Sequence, residues 1–299
     1  MKNSKKISIL GGDLRQLYAA EKLALRYDNI SLWGIKDSYR KENGKIHFSS
    51  DLSEAVCDAT IVLPLPSTTD GTTLNCPLFD KTERPKLSEI TSVIPSGSLV
   101  IGGKLCDAFV RSAENKDIRT VDYFKSEFFQ IKNAYTTAEA ALSIAMNALD
   151  RNIRGAEIAV MGFGRIAKHL CSLLLSMGAE VTVAARKEED LAWARSYGFK
   201  ALQINGSRAW LEALSHGYDV IYNTVPCWLL DREFLVAADK KTFIVDLASA
   251  PGGVDICAAK ELGANVSWAT SLPGKYAPSS AGELIAECII EIIDGEGEA

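Results

Sequence analysis

Gly162-x-Gly164-x-x-Ala167 follows an apolar run, Ile158 to Met161, and opens an amphipathic segment. A second apolar run, Val181 to Ala184, leads to Arg186 and Lys187. Glycines at this spacing can cradle a pyrophosphate. The first permits a tight turn, the second lets the backbone close on the anion, and the small third residue lets a helix pack on its strand. That helix would turn free N–H groups and the positive end of its dipole toward the phosphates. Gly162, Phe163, Gly164, Arg165, Ile166 and Ala167 form a candidate dinucleotide loop. Glycines also mark ordinary turns, but here strand, helix, second strand and basic strand end stand in register. An acid at that strand end would bind a ribose 2′-hydroxyl, whereas Arg186 with Lys187 suits a 2′-phosphate. NADP is therefore the expected dinucleotide.

Ligands of open α/β sheets sit beyond the carboxyl ends of the strands. Three more turns of the second half fall there: Asn223-Thr224-Val225-Pro226, the stretch from Asp246 through Ala248 to Gly253, and Ser271-Leu272-Pro273-Gly274. All are expected to face the nicotinamide, although Pro and Gly can also simply end strands. Asp246 could accept a proton, orient an amide, or cap the N–H groups around Ser249.

In the first half, Gly11-Gly12-Asp13-x-Arg15-Gln16 places polar groups on a strand-to-helix turn. The N–H groups of Gly12 and Asp13, with Arg15, could hold a carboxylate. Alternatively Asp13 caps the helix and Arg15 is surface. Ser67 offers a hydroxyl at another strand end. Thr136, Thr137 and Glu139 stand at the expected start of a bridging helix, where they would face a substrate cleft between the halves. The rival reading is a capping box. Glu139 is the first candidate general base, Asp246 the second, and Thr137 would assist.

Other chemistries lack residues. The three histidines, His47, His169 and His216, fall outside the strand-end turns of the nucleotide half, which weakens a histidine acid–base mechanism. No G-x-S-x-G occurs. The seven cysteines include no C-x-x-C and suggest neither a metal site nor a disulfide framework; reduced cytosolic thiols are expected. The net charge of −5 argues against general nucleic-acid binding. No apolar run reaches the ~18–20 residues of a membrane span. The basic N-terminus runs straight into a strand, Ile7 to Leu10, and not into a signal-peptide core.

These residues need a scaffold, and 299 residues suggest two domains. Strands are expected at Ile7–Leu10, Ile30–Trp33, Thr60–Leu63, Leu99–Gly102 and Ile118–Val121, then near 157–161, 180–184, 218–222, 242–247 and 264–268. Alternation with helices implies two doubly wound parallel sheets. Residues 1–136 are expected to form a flavodoxin-like α/β substrate or partner domain, 137–152 a bridging helix, and 153–278 a Rossmann NADP-binding domain. A final helix, 279–294, capped by Ser279, should pack back on the first domain. Gly198 and Gly263 should close helices. The Pro64–Pro95 stretch reads as a long irregular excursion.

Taken together, Gly11-Gly-Asp-x-Arg-Gln, Thr137-x-Glu139, Asn223-Thr-x-Pro, Asp246-Leu-Ala-Ser-x-Pro-Gly-Gly-x-Asp255 and Leu272-Pro-Gly-Lys-x-Ala-Pro278 resemble the family of dipicolinate synthase A subunits, in this order and along nearly the whole chain. Thr136 and Ala250 depart from its pattern. The resemblance implies a cytoplasmic enzyme of the mother cell of a sporulating bacterium. It would act beside a flavoprotein-like B subunit, oxidising with NADP a cyclic dicarboxylate drawn from lysine biosynthesis to dipicolinate. A homodimer is in keeping with dehydrogenases of this shape. Three alternatives stay open: another NADP-dependent oxidoreductase of a small carboxylate, similar to shikimate dehydrogenase though without a match to its Lys-Asp pair; a non-catalytic NADP-binding partner protein; and a nucleotide-sensing regulatory protein, against which the dicarboxylate-suited first domain argues.

Overall fold

Short strands, the inner ones buried on both faces and those at the edges more open, alternate with helices that carry one apolar face and build two parallel sheets. The computed structural model describes residues 3–39, 44–57 and 59–295. The chain divides into one unit of Met1–Asn133 with Ala277–Ala299 and a second of Ala134–Tyr276.

The first unit runs β1 (Asn3–Leu10), α1 (Leu14–Leu23), β2 (Tyr27–Trp33), β3 (Ile46–Ser49), α2 (Leu52–Val56), β4 (Ala59–Val62), α3 (Leu87–Val93), β5 (Leu99–Gly102), α4 (Asp107–Glu114) and β6 (Arg119–Asp122). A helix, α5 (Glu127–Ala148), leaves this unit and continues into the second. There follow β7 (Glu157–Met161), α6 (Arg165–Ser176), β8 (Glu180–Ala185), α7 (Glu188–Ser196), β9 (Lys200–Gln203), α8 (Ala209–Ser215), β10 (Val220–Asn223), α9 (Arg232–Ala237), β11 (Phe243–Asp246), α10 (Ile256–Leu262), β12 (Val266–Trp268) and α11 (Leu272–Tyr276). The last helix, α12 (Pro278–Gly295), belongs to the first unit.

The sheets run β3-β2-β1-β4-β5-β6 and β12-β11-β10-β7-β8-β9, all parallel. Counted from its own first strand, each has the order 3-2-1-4-5-6 of a dinucleotide-binding sheet, whose direction of winding reverses between strands 1 and 4. This corrects the flavodoxin-like expectation for the first unit. Without β3 the order would be the flavodoxin one. Ile46–Ser49, a short strand with intermediate and exposed positions, pairs with β2 and adds the sixth strand.

Two helix starts also differ from expectation. The bridging helix begins at Glu127, not Thr137, with the Ser126 hydroxyl accepting the Phe129 N–H at 3.4 Å. Thr136 and Glu139 therefore lie inside a helix, and neither caps it. α12 starts on Pro278, a residue whose missing N–H costs nothing at a first helical position, so Ser279 is not the cap. Residues 296–299 of the expected frayed tail lie outside the described residues. Gly198 and Gly263 adopt φ +88° and +63° after α7 and α10. In the first unit, α12 packs on α1: a Cβ on buried Gly282 would stand 2.4 Å from the Arg15 carbonyl oxygen.

Candidate functional site

The glycine turn of the second unit lies at its topological switch point, between β7 and β10. Gly162 has φ +88° and donates its N–H to the Ala184 carbonyl at 2.8 Å. Gly164 is the N-cap of α6, has an ordinary φ of −81°, and would carry a Cβ with nothing within 4 Å. Ala167 is fully buried where α6 meets its sheet. Phe163 is 4% exposed and packs on Phe199 and Tyr197; Ile166 is partly buried and Arg165 exposed. Arg186 and Lys187 follow β8 directly, and both are exposed.

Across the switch point, the Thr224 N–H and hydroxyl both donate to the Met161 carbonyl, at 3.0 and 2.7 Å. That seats Thr224 over the glycine turn. Asn223 is fully buried. Its Nδ2 donates to the Val225 carbonyl (3.0 Å) and to Asp246 Oδ1 (2.8 Å), and its Oδ1 accepts the Val225 N–H at 3.2 Å. The Asn223 amide is thus spent inside the protein. The surfaces left at this edge are Thr224, Val225, exposed Pro226 and the exposed Cys227 and Trp228 beyond it. Asp246 is also fully buried and accepts from Ala248 and Gly253 N–H groups as well as from Asn223. Ala248, Leu272 and Pro273 are buried beside these strand ends.

In the first unit the turn after β1 is closed by its own groups. The Gly12 N–H donates to the Asn75 carbonyl (2.9 Å) and the Asp13 N–H to Gln16 Oε1 (3.0 Å). Neither is left for a carboxylate, which corrects that part of the expected substrate cradle. Asp13 caps α1, accepts the Arg15 N–H, and pairs with the Arg15 guanidinium at 2.8 Å. Arg15 Nη2 also donates to the Leu65 carbonyl, while Nη1 takes no part in these bonds. The Ser67 hydroxyl donates to the Lys104 carbonyl at 3.0 Å. Two buried polar atoms nearby lack a hydrogen-bond partner, Gln16 Nε2 and the Tyr123 hydroxyl; burial pushes the Tyr123 hydroxyl far above the usual phenol range. The Pro64–Pro95 stretch, expected to be irregular throughout, contains α3, and within it Leu74 and Cys76 crowd Gly11 while the Asn75 carbonyl accepts the Gly12 N–H.

On α5, Thr137 is buried, Thr136 half-buried and Glu139 exposed. His47 is exposed on β3, His216 pairs with Asp239 at 2.9 Å, and His169 lies edge-on to Tyr135. Among the described residues no cluster of His, Cys, Asp and Glu could hold a metal ion, and no helix is long and apolar enough to cross a membrane.

Two parallel sheets of this order, one with an open glycine turn, define a two-domain α/β chain with the fold of nicotinamide-dependent dehydrogenases. A transhydrogenase from Sinorhizobium meliloti shares the fold with a TM-score of 0.61 at 15% identity, over 95% of this chain and 91% of that one. A narrower relationship holds along nearly the full length. Residues 6–124 match the family described as the N-terminal domain of the dipicolinate synthase A subunit. The dipicolinate synthase A subunit of Bacillus subtilis (strain 168) is 27% identical over 96% of this chain and 95% of its own length. The crystal structure of the dipicolinate synthase A subunit from Bacillus halodurans superposes with a TM-score of 0.85 at 27% identity, covering 98% of each chain. The chain is a relative of the dipicolinate synthase A subunits, as the motifs from Gly11 to Pro278 indicate.

Proposed function

We propose that this chain is an NADP-dependent oxidoreductase that converts a dihydrodipicolinate-pathway intermediate, a cyclic imine with two carboxylates, into dipicolinate. Gly164 is the observation that carries the cofactor half of this reading. Its φ is ordinary, and beyond its two chain neighbours nothing lies within 4 Å of a Cβ placed there. The fold alone does not require glycine at 164, whereas a pyrophosphate lying against the backbone does. The substrate half rests on the full-length relationship to the dipicolinate synthase A subunits.

On this reading Gly162 to Ala167 hold the pyrophosphate, and Arg186 with Lys187 holds the 2′-phosphate. Thr224, Val225, Pro226, Ala248, Leu272 and Pro273 line the nicotinamide end. The nicotinamide, when bound, supplies the hydride acceptor. In the first unit, Arg15 Nη1 is the group assigned to a substrate carboxylate, because the buried Ser67 hydroxyl is already donated to the Lys104 carbonyl. In the second, Glu139 is the better candidate base, because its carboxylate is exposed and that of Asp246 is not. Thr136 stands one helical turn back from it on the same face, whereas Thr137, two residues back, is buried on the other side of the helix. The B subunit of dipicolinate synthase is the expected partner, and the mother-cell cytoplasm of a sporulating bacterium the expected place.

The test supplies the purified chain with NADP⁺ and the lysine-pathway intermediate, with and without that B subunit, and follows the absorbance of NADPH and dipicolinate. Both products should rise together. Absence of both, even with the partner present, would remove the catalytic reading in favour of a protein that only binds the nucleotide.

A further inference from the structure

Parallel pairing sets Asn223 beside Asp246, and Asp246 beside Trp268. The last residue of β11 therefore lies between the last residues of its two neighbours, with no exposed surface. Burying a carboxylate is costly unless donors surround it, and here they come from two different turns. Oδ1 accepts Asn223 Nδ2 at 2.8 Å and the Ala248 N–H at 3.1 Å; Oδ2 accepts the Gly253 N–H at 2.9 Å. The third turn is tied in through the main chain. The Asp246 carbonyl accepts the Ala269 N–H at 2.9 Å, and Trp268 Nε1 reaches the Ala248 carbonyl at 3.4 Å. Packing is as tight as the bonding: a Cβ on Gly253 would stand 2.0 Å from Asn223 Nδ2 and 2.6 Å from the Val225 carbonyl oxygen.

We propose that Asp246 is a positioning residue, whose buried carboxylate holds the turns after β10 and β11 together, with the turn after β12 following through Ala248, at the spacing the nicotinamide end requires, and that it takes no proton in the reaction. The proposal rests on the nucleotide reading above. A general base must come within about 2.6–3.2 Å of the proton it removes, and a carboxylate sealed from solvent and turned onto three N–H groups does not meet a substrate. Asparagine at 246 would keep the size but replace one acceptor oxygen with a donor. Either Gly253 or the Asn223–Ala248 pair would then face an N–H group and lose its acceptor.

The test uses Asp246→Asn in the full chain. NADP⁺ binding should weaken about 10- to 100-fold, with KM for NADP⁺ rising in parallel, kcat falling far less, and the pH–rate profile keeping its shape. Trp268 emission should shift, a change absent when Trp268→Phe is the background. Gly253→Ala, which leaves the carboxylate in place, should weaken NADP⁺ binding similarly, and the double variant should lose little more. This second variant also carries the test if Asp246→Asn does not fold. Wild-type NADP⁺ affinity in Asp246→Asn, together with a thousandfold loss of kcat and loss of one limb of the pH profile, would overturn the proposal and make Asp246 the base. Unchanged NADP⁺ binding in Gly253→Ala would overturn it too. A wild-type chain that binds no nicotinamide dinucleotide removes both the nucleotide reading and this one.

Discussion

The Thr224 hydroxyl stands 2.5 Å from the point that a Cβ on Gly162 would occupy, with Val225 Cγ2 at 2.9 Å. Gly162 is therefore required twice by the protein itself, once by its φ of +88° and once by Thr224. Gly164 is required by neither. Gly162→Ala should cost about 1–3 kcal/mol of stability through strain and overpacking. Gly164→Ala should leave thermal stability within about 1 kcal/mol of wild type, since alanine suits its φ, yet weaken dinucleotide binding tenfold or more. Thermal denaturation and NADP⁺ titration of the two variants separate these roles. Equal destabilisation by both would make 164 a fold glycine and remove the main support for a phosphate at that turn.

Arg186 is exposed at the end of β8, and no hydrogen bond or ion pair occupies it among the described residues. A charged hydrogen bond contributes about 1.5–3 kcal/mol, and each ~1.4 kcal/mol is tenfold in affinity. Arg186→Ala should weaken NADP⁺ binding about ten- to a hundredfold and leave NAD⁺ almost untouched. Competitive titration with both dinucleotides checks this. Parallel losses would place Arg186 away from the 2′-phosphate.

How much of the molecule is readable from its sequence depends on where each signal is written. The glycine turn, Arg186 and the turns at 223, 246 and 272 are local patterns, and the strand ends fall at or within two residues of where apolar runs stop. β3 is short and its side chains are not fully buried, so Ile46–Ser49 carries no apolar run; only pairing with β2 reveals it, and with it the Rossmann order of the first sheet. The start of α5 is masked because Thr136-Thr-x-Glu139 imitates a capping box, although Ser126, an N-cap residue type followed by an acid in the first turn, marks a helix start earlier. The partners of Asp246 lie 23 residues away in Asn223 and seven away in Gly253. No sequence pattern announces such convergence; parallel register does. The first unit repeats the device with Asp122, which accepts the N–H groups of Lys104 and Leu105 from the turn after neighbouring β5.

Gly282 brings α12 against α1 closely enough that a methyl group would meet backbone, not a yielding side chain: the Arg15 carbonyl oxygen at 2.4 Å and the Ala19 nitrogen at 3.0 Å. Alanine would ordinarily favour a helix interior by ~1 kcal/mol. Here the contact decides the sign. Gly282→Ala should destabilise by about 1–3 kcal/mol, read as a lower denaturation midpoint. A midpoint at or above wild type would mean that the two helices can separate without cost.

Asp231 caps α9 through the Phe234 N–H at 3.1 Å and pairs with both Nη atoms of Arg208 at 2.9 and 3.1 Å. The Arg208 hydrogen bonds, helped by the Phe234 N–H, hold its carboxyl below the usual carboxylate value against the opposing effect of partial burial. A carboxyl depressed in the folded state adds stability above its unfolded value, about 3.9, and loses that contribution as pH falls through the folded value. Asp231→Asn keeps a good capping residue and removes only the charge. The side chain is 33% exposed, so solvent screens the pair and the gap to wild type at pH 6 should be only about 0.5–1 kcal/mol. Urea midpoints measured from pH 6 downward should show that gap narrowing below about pH 4 and vanishing once wild-type Asp231 is itself protonated. A gap that persists at the acid end would assign the effect to the shape of the cap, because two neutral side chains at 231 would then still differ.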